Sequence, residues 1–370
     1  MNQMSLSKGS MHVFHLINNC NAGGAGYVVL PIIENLQKKG VTFTVAYLKP
    51  LESLKPEYER LGVNPIYLGR NPFKIFRQLH NMLKRESDPV TLIHTHLVQA
   101  SLIGRLMGRI YNIPVMTTRH NRMRSRPFHP LHILEDWTVK FSDTVIAISK
   151  SVRSYLLETC GVPPARCQVI YNPLPKEILR GNSKIDIGSN VNIVCNARFI
   201  NIKGIRYLLD AFEKIAEQIP EAQLLLIGRY SKQSPELERI QDHKFKDRIV
   251  LRGFIPRAQV IQELSTARLY VQPSLQEGLG ISALEAMGLG CPCILTQEGG
   301  LVELADGGNN AVLVPKANSQ AIYQSVLELW NDEQRAEKLG LNAKRFIEKH
   351  FKASQIADQY FAAYQQLIIK

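Results

Sequence analysis

Two glutamates eight positions apart, Glu277 and Glu285, are the residues of this 370-residue chain that most suggest chemistry. They lie in the segment SLQEGLGISALEAMGLGCP, with glycines after the first and an alanine-rich run around the second. On one helix, eight steps of about 100° would leave them about 80° apart, so they do not share a helical face. The sequence predicts a strand at 269–272, a loop at 273–280 and a helix from residue 281. The loop and the helix must therefore each supply one carboxylate.

A glycine-rich loop that leads into a helix suits an anion flanked by hydroxyl groups. Gly278 and Gly280 allow the backbone to approach a ligand closely, and the N–H groups at the helix start favour negative charge. Glu277 and Glu285 would accept hydrogen bonds from hydroxyls on either side, which describes a sugar nucleotide. The alternative is a tight turn and a helix whose Glu285 is solvated or ion-paired. Because that helix is largely apolar, we expect Glu285 to be partly buried and to need a partner.

Both halves of the chain alternate short β-branched runs with longer helical patterns, which is typical of doubly wound α/β domains with parallel sheets. We predict strands at 12–17, 42–48, 65–68, 91–95, 114–117, 144–148, 168–170, 191–196, 223–227, 249–251, 269–272, 291–295 and 311–314. We predict helices at 26–39, 72–85, 99–111, 130–141, 149–160, 203–218 and 281–289, and three more between 319 and 370. Turn-forming residues between 171 and 191 indicate two domains, 1–180 and 181–370. The final helix is a candidate to cross back and pack on the N-terminal domain.

The net charge of +13 is concentrated in the first half of the chain. Residues 1–180 carry 23 Lys and Arg against 11 Asp and Glu, whereas residues 181–370 carry 22 against 21. A basic surface attracts nucleic acid, anionic lipid or a phosphorylated substrate, and charge alone does not choose among them. No apolar run is long enough to span a bilayer, and no leader is evident around residues 11–17. Since the six cysteines show no C-x-x-C spacing, we expect reduced packing residues in a cytoplasmic protein.

The segment EGLGISALE at 277–285 resembles the E-x7-E motif of the retaining GT-B glycosyltransferases of family 4. The resemblance extends, in the right order, over almost the whole chain. It includes NAGGAGYVVL at 21–30, IHTHLVQASLIGRLMGRIYNIPVMTTRHN at 93–121, NARFINIKG at 196–204, LLLIGRY at 224–230 and IVLRGFIP at 249–256. It implies a GT-B fold of two doubly wound Rossmann-like domains with a cleft between them. The N-terminal domain would bind the acceptor and the C-terminal domain the nucleotide sugar.

The resemblance also implies roles for individual residues. Arg198 and Lys203 match the basic pair that grips the donor diphosphate, and Glu285 matches the acid that binds the ribose. His120 and Glu277 match residues at the donor sugar and the reaction centre, with His96 a candidate on the acceptor side. The remaining predicted donor contacts are Gly23, Gly24, Gly228, Phe254, Gly278, Leu279, Gly280 and Ile281. The chain departs from the family in having Asn172-Pro173 for Asn-Gly, Ala197 for Gly, and a single glycine at the turn around Gly228.

The implied reaction transfers a sugar from a nucleoside diphosphate, with a UDP-sugar as the expected donor, to an acceptor hydroxyl with retention. We expect front-face attack and neither a cofactor nor a metal ion, since no Asp-x-Asp signature is evident. The expected acceptor is a lipid-linked or other anionic glycan in cell-envelope, lipopolysaccharide or polysaccharide biosynthesis. A basic loop would bind it, with peripheral contact to anionic membrane on the cytoplasmic side. We assign to this basic surface Arg105, Arg109, Arg119, Arg122, Arg124, Arg126, Phe128 and His129.

Two other interpretations stay open on the sequence, and a third is not expected. A sugar-nucleotide epimerase of the same fold would need the same diphosphate grip but no acceptor. A catalytically inactive nucleotide-sugar-binding protein would keep the fold but not the activity. For the basic loop, the separate alternative is a solvated segment with no ligand. Nucleic-acid binding is not expected, because no RNA- or DNA-binding module is present.

Overall fold

The computed structural model describes residues 11–21, 25–85, 88–121, 129–174, 176–179 and 190–369. The chain forms two compact α/β units. The first runs to Pro173 and resumes at Ala353, and the second spans Leu174–Lys352. Each unit is built around one parallel sheet, as the alternation of strands and helices predicts. None of the helices in these ranges has the length and apolar character needed to cross a bilayer.

The first unit contains a seven-stranded parallel sheet in the order β3-β2-β1-β4-β5-β6-β7. Its strands are β1 (His12–Asn19), β2 (Thr42–Lys49), β3 (Ile66–Tyr67), β4 (Leu92–His96), β5 (Val115–Arg119), β6 (Thr144–Ala147) and β7 (Cys167–Val169). Its helices are α1 (Ala25–Gln37), α2 (Lys55–Arg60), α3 (Pro72–Leu83), α4 (Val98–Tyr111), α5 (Pro130–Thr138) and α6 (Lys150–Glu158). Helices cover both faces of a parallel sheet of this kind, so every residue of the central strand β4 is buried.

The second unit contains a six-stranded parallel sheet in the order β10-β9-β8-β11-β12-β13. Its strands are β8 (Asn192–Asn196), β9 (Gln223–Ile227), β10 (Ile249–Gly253), β11 (Leu269–Gln272), β12 (Cys293–Thr296) and β13 (Val312–Val314). Its helices are α7 (Lys176–Leu179), α8 (Ile205–Gln218), α9 (Pro235–Gln241), α10 (Arg257–Ser265), α11 (Ile281–Gly288), α12 (Gly300–Ala305), α13 (Ser319–Asn331) and α14 (Glu333–His350). The apolar face of α8 packs into the core of this unit, where Phe212 and Leu208 are fully buried.

The last helix, α15 (Ala353–Ile368), belongs to the first unit. It packs against α1, and its buried Tyr364 hydroxyl lies 2.7 Å from Nδ1 of His94 on β4. The chain therefore passes between the units twice, before Leu174 and after Lys352, and these two residues form an isolated parallel bridge. The sequence places the boundary at 180/181, inside a segment outside the described residues, whereas the structure divides the chain after Pro173.

The predicted strands and long helices are all present, with ends that shift by a few residues. Helices α2, α7, α9, α10 and α12, which have only four to nine residues each, were not predicted from the sequence. A helix of two turns is too short to show a clear period, so these segments look like loops in the sequence. All six cysteines are buried and none forms a disulfide, as predicted. Burial raises the pKa of the Cys195 thiol to about 12, so this thiol stays protonated at neutral pH.

Candidate functional site

In the second unit, the direction of the chain connections reverses between β8 and β11, at the carboxyl edge of the sheet. These two strands are neighbours in the sheet, but the chain leaves β8 towards β9 and leaves β11 towards β12. Loops that diverge in this way leave a crevice between them, and ligands of doubly wound sheets bind at this point. The loop after β8 carries Arg198 and Lys203, and the loop after β11 carries Glu277. The topology thus brings together the three charged residues that the sequence singles out.

Backbone contacts hold these two loops together. The amide of Leu275 donates to the carbonyl of Ile202 at 2.8 Å, and the amide of Gln276 to the same oxygen at 3.2 Å. Gly204, with φ of +64°, starts α8 where a Cβ atom would collide with the carbonyl of Pro273. Glycine is required here both by the backbone conformation and by this close approach. Lys203 thus supplies a charged side chain, and Gly204 beside it allows the two loops to pack closely.

Lys203 and Glu277 form an ion pair across the two loops. The Lys203 Nζ lies 2.5 Å from Oε2 of Glu277, and both side chains are largely shielded from water. The same Oε2 accepts a hydrogen bond from Ser274 at 3.1 Å, and the Ser274 hydroxyl accepts one from Gln272 at 2.8 Å. The hydroxyl of buried Tyr270 donates to Gln272 at 2.5 Å. This polar chain fixes the Glu277 carboxylate before any ligand binds.

A glycine pair after β12 supports the Glu277 loop from below. Gly299 has φ of +55°, and a Cβ there would collide with the carbonyl oxygen of Glu277. At Gly300 a Cβ would lie 2.6 Å from the carbonyl of Gly278 and 2.6 Å from Cα of Leu279. The amide of Gly300 also donates to Gly278 at 3.2 Å. The backbone of the predicted donor-binding segment 278–281 thus packs against the turn at Gly299 and Gly300, where there is no room for a side chain.

Glu285 lies on the buried face of α11 and forms an ion pair with Arg257 at the start of α10, at 2.7 Å. Burial raises the pKa of the Glu285 carboxyl, and the charge of Arg257 opposes this shift. Both Glu277 and Glu285 contribute to the raised pKa of the Tyr270 hydroxyl, after the larger effect of burial, so the two acids lie near one phenol. Arg257 is therefore the partner expected from the sequence for a buried Glu285.

The crevice also presents positive charge that the described residues do not neutralise. Arg198 is exposed and has no ion pair or hydrogen bond from its side chain within the described ranges. Gly280, with φ of +93°, precedes the first turn of α11, and no described side chain caps that turn. Ile281 is the first residue of this helix and is partly exposed. A helix start of this kind attracts anions through its N–H groups and its dipole.

The turns after β9 and β10 add aromatic surface beside the loop after β8. Gly228, with φ of +139°, approaches the carbonyl of Ala197 so closely that a Cβ would not fit. Phe254 is 55% exposed, and the guanidinium of Arg229 lies 4.2 Å from its ring centre. Tyr230 is also partly exposed and lies 5.3 Å from the ring of Phe199. The predicted Gly228 and Phe254 therefore belong to an open aromatic and basic surface at the same sheet edge.

The first unit contains a row of histidines at the equivalent point of its sheet, where β1 and β4 are neighbours. His15, His94 and His96 are buried, and His120 is partly exposed. Nδ1 of His15 lies 3.2 Å from Nε2 of His96, and Nδ1 of His96 lies 3.1 Å from Nε2 of His120. His94 completes the group and bonds to Tyr364 and Thr118, both at 2.7 Å. Burial lowers the pKa of His120 to about 4 and that of His15 to about 3. These imidazoles are therefore neutral at physiological pH.

The direction of the hydrogen bonds follows from the end of the row. Nε2 of His15 is buried and has no partner within the described ranges. A buried N–H without an acceptor is rarer than an unpaired acceptor, so we assign the proton of His15 to Nδ1. His15 then donates to His96, and His96 donates to His120 in turn. This assignment places the proton of His120 on Nδ1, where it is available as a hydrogen-bond donor.

Two of the predicted basic-surface residues are buried, and that prediction was wrong for them. Arg105 lies 2.5 Å from Glu135 and also bonds to Thr138, and Arg119 lies 2.5 Å from Asp136. Each guanidinium is less than 10% exposed, because helix α5 supplies carboxylates that cover it. His129 is the N-cap of α5 and accepts from the amide of Leu131. Of the described members, Arg109 alone is exposed.

Some predicted site residues lie outside the described residues. These are Gly23 and Gly24 of the glycine loop, and Arg122, Arg124, Arg126 and Phe128 of the basic loop. Other residues that shape the site were not predicted from the sequence, namely His15, His94, Arg257, Tyr270, Gln272, Ser274, Gly299 and Gly300. Pro256 before Arg257 was an available signal, because proline is common at the start of a helix.

Family models match both units. Residues 22–177 match the model described as Glycosyltransferase Family 4, and residues 190–332 match the one described as Glycosyl transferases group 1. The chain is 30% identical to an uncharacterized glycosyltransferase of Methanocaldococcus jannaschii over 325 residues, 85% of this chain and 82% of the relative. It is 23% identical to the N-acetyl-alpha-D-glucosaminyl L-malate synthase of Bacillus anthracis, over 94% of this chain and 95% of that protein.

Solved structures show the same fold. The crystal structure of Anabaena HepE in complex with UDP-glucose matches with a TM-score of 0.85 at 20% identity, covering 96% of this chain and all of that one. Two doubly wound units, two matching family models and a relative that is matched over most of both chains agree with the motifs read from the sequence. The chain belongs to the family 4, group 1 glycosyltransferases and has the GT-B fold.

Proposed function

We propose that this protein is a retaining, metal-independent glycosyltransferase that moves a sugar from a UDP-sugar to a hydroxyl of an anionic or lipid-linked glycan. The observation that carries the proposal is the crevice at β8 and β11. It combines an exposed Arg198, the Lys203–Glu277 pair and the start of α11. A UDP-sugar is the proposed donor because the Anabaena relative was crystallised with UDP-glucose. The acceptor's place in cell-envelope or polysaccharide synthesis follows from the sequence resemblance.

The side chains of the second unit suit donor binding and departure of the nucleotide. Arg198 and Lys203 would bind the diphosphate oxygens and stabilise the negative charge that grows on them as the sugar leaves. Glu277, held by Ser274 and Lys203, would accept hydrogen bonds from sugar hydroxyls, and Glu285 from the ribose. The exposed ring of Phe254 offers a face for the base. The family resemblance assigns His120, which is in the first unit, to the donor sugar, and the proton on Nδ1 is the one that it would donate.

Retention is proposed from the family resemblance, and the state of the two acids bears on the route by which it would occur. A double-displacement mechanism needs a carboxylate free to attack the anomeric carbon. Glu277 and Glu285 are both engaged in ion pairs, with Lys203 and Arg257. We therefore propose front-face attack, in which the departing phosphate oxygen takes the acceptor proton. The two cations of the crevice and the start of α11 supply the positive charge that a metal ion provides in other transferases.

Removing the charge of Arg198 should weaken nucleotide binding without loosening the fold. Charge-assisted hydrogen bonds contribute about 1.5–3 kcal/mol, so Arg198→Ala should lower the affinity for UDP about 10- to 150-fold. Since the side chain is exposed, the thermal midpoint of the free protein should stay the same. Arg335→Ala, on the exposed face of α14, is the matched control. Isothermal titration with UDP decides, and equal affinities for the two variants would contradict the assignment of Arg198.

The donor and the reaction are tested in two steps. A panel of UDP-glucose, UDP-galactose, UDP-N-acetylglucosamine and GDP-mannose should include one ligand that raises the thermal midpoint. A ligand at 100 times its Kd stabilises the protein by about 2.7 kcal/mol. With that donor and an added glycan acceptor, proton NMR in the presence of EDTA should show a product with the anomeric configuration of the donor. An inverted product, activity abolished by EDTA, or an epimerised donor formed without acceptor would contradict the proposal.

A further inference from the structure

The first unit has a wide apolar groove apart from the histidine row. Its cavity volume is about 1230 Å³. This is larger than the roughly 300–1,000 Å³ that is usual for small-ligand pockets. Its walls come from the segments after β2 and β3, from α3 and α4, and from α5 with the turn that follows it. Apolar side chains dominate these walls, among them Leu48, Ile75, Leu102, Ile103, Leu131 and Phe141. No described part of the chain fills this groove.

The helices that border the groove expose apolar stripes to water. On α4, Leu106 is 58% exposed, and Ile110 lies one turn further along the helix. On α5, Leu134 and Trp137 are three positions apart on one face, and both are also exposed. Helices α4 and α5 pack against each other, and exposed apolar side chains grouped on two packed helices indicate an interaction site, because burying them is favourable.

The rim of the groove is positively charged. Lys49, Arg70 and Arg109 are among its lining residues, and none of the lining residues in the described ranges is acidic. Arg105 also lines the groove, but its charge is balanced by Glu135. At the far end Lys140 lies 5.8 Å from the ring centre of Trp137 and 5.7 Å from that of Phe141. An apolar channel with an uncompensated cationic rim is complementary to a hydrocarbon chain that ends in an anion.

We infer that this groove binds the hydrocarbon chain of a phosphate-bearing lipid, with Lys49, Arg70 and Arg109 contacting the phosphate. A concave channel fits a single flexible chain better than it fits a protein, whose standard interface needs about 800 Å² on each partner. The inference names a class of acceptor or anchor for the proposed transferase, and it rests on the proposed function only in that respect. Lipid binding is measured without any donor.

The probe is dodecyl phosphate, titrated below its critical micelle concentration and followed by calorimetry. Each buried methylene contributes about 0.8 kcal/mol, so hexyl phosphate, six carbons shorter, should bind at least about 100-fold more weakly. Inorganic phosphate should show no measurable binding, and dodecyl maltoside, which has the same chain without the charge, should bind about 10-fold more weakly. Equal binding of dodecyl phosphate and inorganic phosphate, or of dodecyl phosphate and dodecyl maltoside, would overturn the inference.

Surface variants connect the binding to the groove. Leu106→Gln and Arg109→Glu should each weaken dodecyl phosphate binding about 10-fold, the second mainly at low salt. Leu341→Gln and Lys338→Glu make the same changes on exposed positions of α14 in the second unit and should have no effect. All four variants should keep the wild-type urea midpoint of the first unit, which shows that this unit is folded, and the wild-type affinity for UDP, which separates this test from that of the donor site. Unchanged lipid binding in both groove variants would overturn the inference, as would binding to anionic vesicles without binding of dodecyl phosphate.

Discussion

Lowering the pH from 7 to 5 should destabilise the first unit by at least about 4 kcal/mol. The folded pKa values of His15 and His120, about 3 and 4, lie below the ordinary value of 6.5. The unfolded chain therefore binds more protons, and stability falls as the pH drops from about 6.5 towards the folded values. Each such histidine loses about 2 kcal/mol between pH 7 and 5. Burial lowers the pKa values of His94 and His96 in the same direction.

The chain's two tryptophans allow this loss to be assigned to one unit. Trp137 lies in the first unit and Trp330 in the second, so a Trp330→Phe variant reports urea unfolding of the first unit by fluorescence. In that background His15→Asn keeps a polar atom near the position of Nδ1 but does not titrate. It should reduce the acid-induced loss by about 2 kcal/mol. His350→Asn, on an exposed turn of α14, should leave the loss unchanged. A urea midpoint that is the same at pH 7 and pH 5 would show that the row is not buried in the neutral form.

Replacing Gly299 with alanine should destabilise the second unit and disorder the donor site. The positive φ costs an L-residue about 1–2 kcal/mol, and the collision with the carbonyl of Glu277 adds about 1–3 kcal/mol. Because the collision is with backbone rather than with a flexible side chain, the loop that carries Glu277 must move. We therefore expect a loss of about 2–5 kcal/mol in unfolding free energy and at least about a 10-fold loss in affinity for UDP.

Gly307 provides a matched control for this substitution. Its φ is +66°, but a Cβ there would meet nothing within 4 Å. Gly307→Ala has the same effect on the unfolded chain, but Gly307 has ψ of 17°, near the left-handed helical region, whereas Gly299 has ψ of −135°. The difference between the two variants therefore measures the contact with Glu277 together with the greater backbone strain at Gly299. Gly307→Ala should lose only about 1–2 kcal/mol and keep its affinity for UDP. Equal stability and equal UDP affinity in the two variants would show that the Gly299 turn does not support the loop.

The alternation of strands and helices in the sequence was enough to predict both sheets, because parallel strands buried on two faces leave continuous apolar runs. The resemblance to family motifs indicated the candidate site, and the structure places Arg198 and Lys203 after one strand and Glu277 after its neighbour. Their partners were not visible. Arg257 precedes Glu285 by 28 positions, a spacing that has no local meaning. Only the fold brings the start of α10 against α11, where the two side chains meet.

The error over Arg105 and Arg119 has the same origin. A count of charges treats every arginine as exposed, whereas Glu135 and Asp136, on a helix 17 or more positions further along the chain, neutralise both in the interior. The histidine row likewise depends on the register between β1 and β4. His15 and His94 are neighbours across these strands although they are 79 positions apart in the sequence. Single positions in the sequence show the residue type, but not which charges or rings the sheet will place side by side.

The most direct test of the central claim is a crystal structure of the protein soaked with UDP. The diphosphate should lie in the crevice at β8 and β11, with its oxygens within hydrogen-bonding distance of the Arg198 guanidinium and the Lys203 ammonium and beside the first turn of α11. UDP bound elsewhere, with this crevice empty at a saturating concentration of nucleotide, would contradict the account.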